Sequence, residues 1–90
     1  MNQSGLHCII SGRVQGVFYR ASTQKQAKIL GVSGWVRNLP DGNVETMAFG
    51  TTEKLEQFKD WLWQGPSRAK VENVEVKQIP WEEYKTFEVK

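Results

Sequence analysis

Cysteine and histidine are nearly missing from this chain of 90 residues: there is one of each, His7 and Cys8, side by side. A lone thiol cannot close an internal disulfide, so the fold does not depend on an oxidising compartment. One cysteine and one histidine cannot make a His/Cys metal site either. As neighbours on a predicted strand they point to opposite faces, which excludes a Cys–His dyad, and His7 reads as a structural strand residue. Long apolar runs are absent as well, and nothing approaches the ~18 residues needed to span a bilayer. The opening MNQSGLHCII has neither the basic segment nor the apolar stretch of a signal peptide. An excess of one charge is also missing: 12 Lys and Arg stand against 10 Asp and Glu, scattered along the chain with a net charge of +2. That leaves no broad basic field for nucleic acid and only a slight bias toward anionic ligands. The expectation is a cytoplasmic monomer with no membrane or nucleic-acid partner.

What is present suits one folded domain across residues 1–90. The composition, 39% hydrophobic and 24% charged, is that of an ordinary globular chain, with four tryptophans and four phenylalanines as bulky packing material. Leu6 to Ile10 is a short apolar run ended by Ser11-Gly12, a buried strand. Tyr19, Thr23, Ala27 and Leu30 then fall at helical spacing, and Gly31 is placed to end that helix. VSGWVRNL predicts a strand, and Leu39 to Asn43, containing PDGN, a hairpin connection into the strand VETMAFG. Thr51 or Thr52 caps a second helix with Glu53 at its positive end, Leu55, Phe58 and Leu62 as its apolar stripe, and Gly65-Pro66 as its stop. VENVEVKQI alternates as a strand, and TFEVK is a candidate for a short final one. The order is βαββαβ: an α+β, ferredoxin-like split βαβ sandwich, an antiparallel sheet with two helices on one face. Such a fold hosts many functions and names none.

The chemistry lies between the first strand and the first helix, in GRVQGVFYR, Gly12 to Arg20. Gly12 and Gly16 let the chain curl with its N–H groups inward, and such a concavity at a helix N-terminus attracts anions. Arg20 falls near the first helical turn, where its rigid fork of donors suits a phosphate bidentately. Two readings of these residues stay open: a phosphate cradle, or a tight connection with Arg20 in a surface ion pair. The loop lacks the Gly-Lys-Ser/Thr ending of a nucleotide P-loop and the Gly-x-Gly-x-x-Gly of a dinucleotide site, which argues against nucleotides.

A second stretch bears on the choice. IISGRVQGVFYR together with GWVRNLPDGNVETMAFG, Gly34 to Gly50, resembles the acylphosphatase family. The likeness rests on Gly12, Val14, Gln15, Gly16, Val17 and Arg20 in the first motif. In the second it rests on Gly34, Trp35, Val36, Arg37, Asn38, Gly42, Val44 and Gly50. Tyr19 departs from the family, which more often has Phe or Met there; its ring is expected to pack alike, its hydroxyl meeting water or a polar neighbour. The resemblance implies hydrolysis of acyl phosphates to a carboxylate and inorganic phosphate. It gives Arg20 and the backbone amides of Val14, Gln15, Gly16, Val17, Phe18 and Tyr19 the phosphoryl group, and gives Asn38 the attacking water.

That chemistry needs little machinery. The leaving carboxylate has a conjugate acid of pKa about 4 and departs without a general acid. What remains is to neutralise phosphoryl charge and aim a water. Neither motif holds an evident base, so the substrate's own phosphate oxygen is the candidate acceptor of the water's proton. Asp41, Glu45 and Glu53 have no Mg²⁺-type spacing, and no metal or cofactor is predicted. Arg13 and Arg37 are expected to be solvated, with a minor steering role. Trp35, Trp61, Trp63 and Trp81 are expected to be core or half-buried packing. Two alternatives remain. One is a ferredoxin-like RNA-binding domain, which the first and third strands, LHCII and VETMAFG, equip poorly with stacking aromatics. The other is a non-catalytic phosphate or carbamoyl-phosphate sensor, resembling the acylphosphatase-like domains of larger maturation enzymes; a chain stopping at Lys90 is expected to be a free-standing enzyme.

Overall fold

In the computed structural model, which describes residues 2–90, the chain runs β1 (Gln3–Arg13), α1 (Tyr19–Leu30), β2 (Ser33–Asn38), β3 (Val44–Thr51), α2 (Thr52–Gln64), β4 (Lys70–Ile79) and β5 (Phe87–Val89). The strands make one sheet in the order β4-β1-β3-β2-β5. β1 pairs antiparallel with both β3 and β4, and β2 antiparallel with β3. This is the ferredoxin-like α+β arrangement expected from the βαββαβ order.

The register sorts the side chains by face. Cys8 lies opposite Thr46, which lies opposite Val36, and all are buried under the helices. Tyr19, Thr23 and Ala27 of α1 and Leu55, Phe58 and Leu62 of α2 close that core, with Phe87 edge-on to Phe58 at 5.8 Å. Burial pushes the Cys8 thiol up to about 12, so it stays protonated and inert. The row on the open face is His7–Met47–Trp35. Next to it Glu45 takes hydrogen bonds from His7 Nε2 at 2.7 Å and Arg37 Nε at 2.6 Å. Burial disfavours the Glu45 carboxylate, yet these two bonds outweigh it and hold the group below the usual carboxylate range.

The predicted caps are in place. Gly31 is left-handed and returns its N–H to Ala27 and Lys28, and the Thr51 hydroxyl accepts from Lys54 N at 3.4 Å. The hairpin closes with Leu39 N donating to Asn43 O at 2.8 Å and Gly42 N to Leu39 O at 3.2 Å.

Two features differ from expectation. β1 extends well beyond Leu6–Ile10 because it is central: its first residues pair with β3, out to Thr51, and its last with β4, out to Lys70, whatever their side chains. The sheet is not purely antiparallel, since β5 joins the β2 edge in parallel, Gly34 opposite Phe87. Lys90 N continues that edge with a 2.8 Å bond to Val36 O.

Candidate active site

The loop between β1 and α1 is curled by backbone geometry and anchored by its own apolar side chains. β1 slips register between Ser11 and Gly12, whose φ of 121° and closeness to the Lys70 carbonyl leave no room for a side chain. Gly16 has φ 74° and Phe18 has φ 64°, so the chain turns left-handed twice before α1 begins. Val14 and Val17 point into the core and pin the loop. Among the described residues, the N–H groups of Gln15 to Arg20 donate to no protein acceptor; the first bond of the helix is Ser22 N to Phe18 O at 3.0 Å. No side chain caps α1, and its first turn holds no acid. A curl of free donors at the positive end of a helix is an anion site in waiting.

Arg20, the second residue of α1, and Asn38, the last of β2, line one cleft of about 320 Å³ with Val14, Gly16, Phe18 and Val89. Arg20 Nη1 donates to Lys90 O at 3.3 Å, which braces the guanidinium from the β5 side. Asn38 Oδ1 is buried and accepts no hydrogen bond from the described residues. Such an acceptor is uncommon in a native fold, and it lies where a small polar ligand would meet it.

Not every loop residue faces this cleft. Val17 instead borders an adjacent hollow with Arg13, Gly16 and Arg68, so the solvated Arg13 has a basic neighbour that the sequence did not suggest. Tyr19 does line the cleft, but its ring is buried and its hydroxyl donates to Leu62 O at 2.6 Å, the polar neighbour expected for it. Burial, with the nearby Cys8 second, raises that phenol above its ordinary range. Arg37 is not simply solvated, because it pairs with Glu45 and lies 5.3 Å over the Trp35 ring. Trp35 is buried and Trp61 packs against the core, but Trp63 and Trp81 are exposed rather than packing residues.

The side chain of Gln15 has a part that the sequence reading did not assign. Its Nε2 donates to both Leu39 O and Asn43 O at 2.8 Å, tying the loop to the hairpin that carries Asn38. A polar residue inside an otherwise apolar loop was the available signal. Among the described residues no three His, Cys, Asp or Glu side chains gather as metal ligands. No helix among them is long and apolar enough to cross a membrane.

Fold and site together define a class: a small ferredoxin-like protein with an arginine and free backbone amides gathered at a strand-to-helix turn. The comparisons are specific. The family model for acylphosphatases matches residues 6–89. An acylphosphatase of Nitrosococcus oceani is 51% identical over 85 residues, 94% of this chain and 96% of the relative. The structure of an acylphosphatase from Coxiella burnetii superposes with a TM-score of 0.95 at 43% identity, covering 99% of this chain and 94% of that one. For the acylphosphatase from Bacillus subtilis the TM-score is 0.93 at 32% identity, covering 96% and 97%. The chain belongs to the acylphosphatase family.

Proposed function

We propose that this enzyme hydrolyses acyl phosphates in the cleft between α1 and the β2–β3 hairpin, with Arg20 and the loop amides holding the phosphoryl group and Asn38 holding the water. The observation that carries the site assignment is the buried, unpartnered Asn38 Oδ1 in the same cleft as Arg20. An acceptor there takes a hydrogen from the attacking water and leaves an oxygen lone pair free to face phosphorus. Arg20 and the N–H groups of Val14 to Tyr19 surround the phosphoryl oxygens and neutralise charge as the bond breaks. The carboxylate leaves as an anion, since its conjugate acid has a pKa of about 4. The water's proton passes to a phosphoryl oxygen, and the products are a carboxylate and inorganic phosphate.

We read the acting unit as one domain over residues 1–90 and as a monomer in the cytoplasm; Arg20 and Asn38 meet on one chain, so the proposed site needs no second copy. The open face of the central strands carries His7, Ile9, Glu45 and Met47, and its one aromatic there, Phe49, is buried against Tyr84, which lends no support to base stacking on RNA.

Turnover of benzoyl phosphate by the wild type and by Arg20→Lys tests the assignment. The wild type hydrolyses it, and the variant loses about 10²–10³-fold in kcat/KM, as when an oriented donor to the transition state is removed. Retention of more than half of the wild-type kcat/KM by Arg20→Lys would falsify the clamp.

A further inference from the structure

We propose that Phe18, together with Val89, receives the acyl group of the substrate and gives this enzyme a preference for aromatic over small acyl phosphates; this rests on the site assigned above. Phe18 is the only non-glycine residue among those described with a positive φ, 64°, and its ring is 74% exposed. Among the described residues it joins neither the core nor any of the aromatic pairs, so no packing there accounts for placing a large ring on a strained backbone position. Val89, 41% exposed on β5, is the other large exposed apolar side chain on the same cleft, where Ala21 adds only a methyl group.

The reaction geometry directs the acyl group to these two residues. Asn38 Oδ1 is buried, so the water it holds approaches phosphorus from the closed side of the cleft. In-line displacement sets the leaving group opposite that water, toward the open mouth. The large exposed apolar side chains on the cleft are Phe18 and Val89. The cleft also has the room: at about 30 Å³ per water-sized group, a phosphoryl group and one water fill roughly half of its 320 Å³. The remainder accommodates a ring stacked or edge-on to Phe18, a contact worth up to about tenfold in affinity.

Benzoyl phosphate and acetyl phosphate are the probes, and the readout is the ratio of their kcat/KM values, which cancels any loss common to both. Phe18→Ala is expected to lower the benzoyl-to-acetyl ratio about tenfold and Val89→Ser about threefold, the change falling on the KM for benzoyl phosphate, as for binding shared by ground and transition states. Phe18→Tyr, which keeps the ring, is expected to hold the wild-type ratio. A Phe18→Ala ratio within twofold of wild type, with Arg20→Lys inactive on both substrates, overturns this inference alone. An Arg20→Lys enzyme that keeps both activities overturns the site and this inference together.

Discussion

Gln15 makes no contact that chemistry would demand, yet its replacement should reach the reaction. Gln15→Ala removes two hydrogen bonds of 2.8 Å, to Leu39 O and Asn43 O. Neither carbonyl is left bare: Leu39 O keeps Gly42 N, and Asn43 O keeps Leu39 N. The stability cost is therefore the net worth of two ordinary bonds, about 1–2 kcal/mol in all. For a domain of this size that corresponds to a Tm lower by roughly 5–15 °C. The catalytic cost has a different origin. Gln15 is the link between the loop that presents the amides and the hairpin that presents Asn38, and a displacement near 1 Å costs up to about 10²-fold in rate. Gln15→Ala should thus lose about 10–100-fold in kcat/KM on benzoyl phosphate, most of it in kcat, measured well below its own Tm. Gln15→Glu keeps the shape but sets a carboxylate against two carbonyls, so it should be at least as damaging in both assays. If Gln15→Ala melts roughly 5–15 °C earlier but turns over substrate within twofold of wild type, the link is a structural tie and positions nothing.

Asn38→Ala should lower kcat while leaving the binding of inorganic phosphate, measured by calorimetry, nearly intact; a large loss of phosphate affinity would make Asn38 a phosphate ligand instead. Tyr19→Phe should cost about 1–3 kcal/mol in urea unfolding, because it strips a buried carbonyl of its donor; an unchanged midpoint would show that Leu62 O finds another. Glu45 has a folded pKa below its unfolded value, so its contribution to stability is present above the ordinary carboxylate range and disappears as pH falls through the lowered folded value. Wild type should therefore exceed Glu45→Gln in stability at pH 6 and converge on it in acid; a gap that persists or widens toward pH 2 would contradict the ion cluster with His7 and Arg37.

The parts of this structure that could be read from the sequence are those written in local chemistry. Tyr19, Thr23 and Ala27 mark one helical face, Gly31 its end, and PDGN the hairpin, because each acts through neighbours a few residues away. The separation of Arg20 and Asn38 in sequence says nothing about their sharing a cleft; the family resemblance supplied that, and the fold brings the two together. Partners distant in the chain left no trace. The three residues of β5 are too few to carry a register, and their parallel pairing depends on Phe87 finding Phe58. Tyr19 is instructive. The acceptor of its hydroxyl, Leu62 O, would ordinarily bond to the N–H four residues on, but that residue is Pro66, which has none. A phenol from α1 thus completes the end of α2, a pairing that makes sense only once the two helices lie side by side.

The two helices also show where this fold withholds stability. α2 begins with Thr51 bonded to Lys54 N and Glu53 in its first turn, while α1 begins with neither a side-chain cap nor an acid. A missing cap costs about 1 kcal/mol, and a left-handed non-glycine residue such as Phe18 adds about 1–2 kcal/mol. Together that is a sizeable share of the 5–15 kcal/mol that holds an ordinary domain folded. A serine or aspartate at position 18 would relieve part of it by accepting from the N–H of Arg20 or Ala21, but its oxygen would then stand at the edge of the curl proposed to receive the phosphoryl group. The loop is instead held by contacts that leave those donors free: Val14 and Val17 in the core, Gln15 on the hairpin, and Arg20 braced by Lys90. Each holds the curl without using its N–H groups, so in the proposed site the amides are already placed for a phosphoryl group and need little reorganisation.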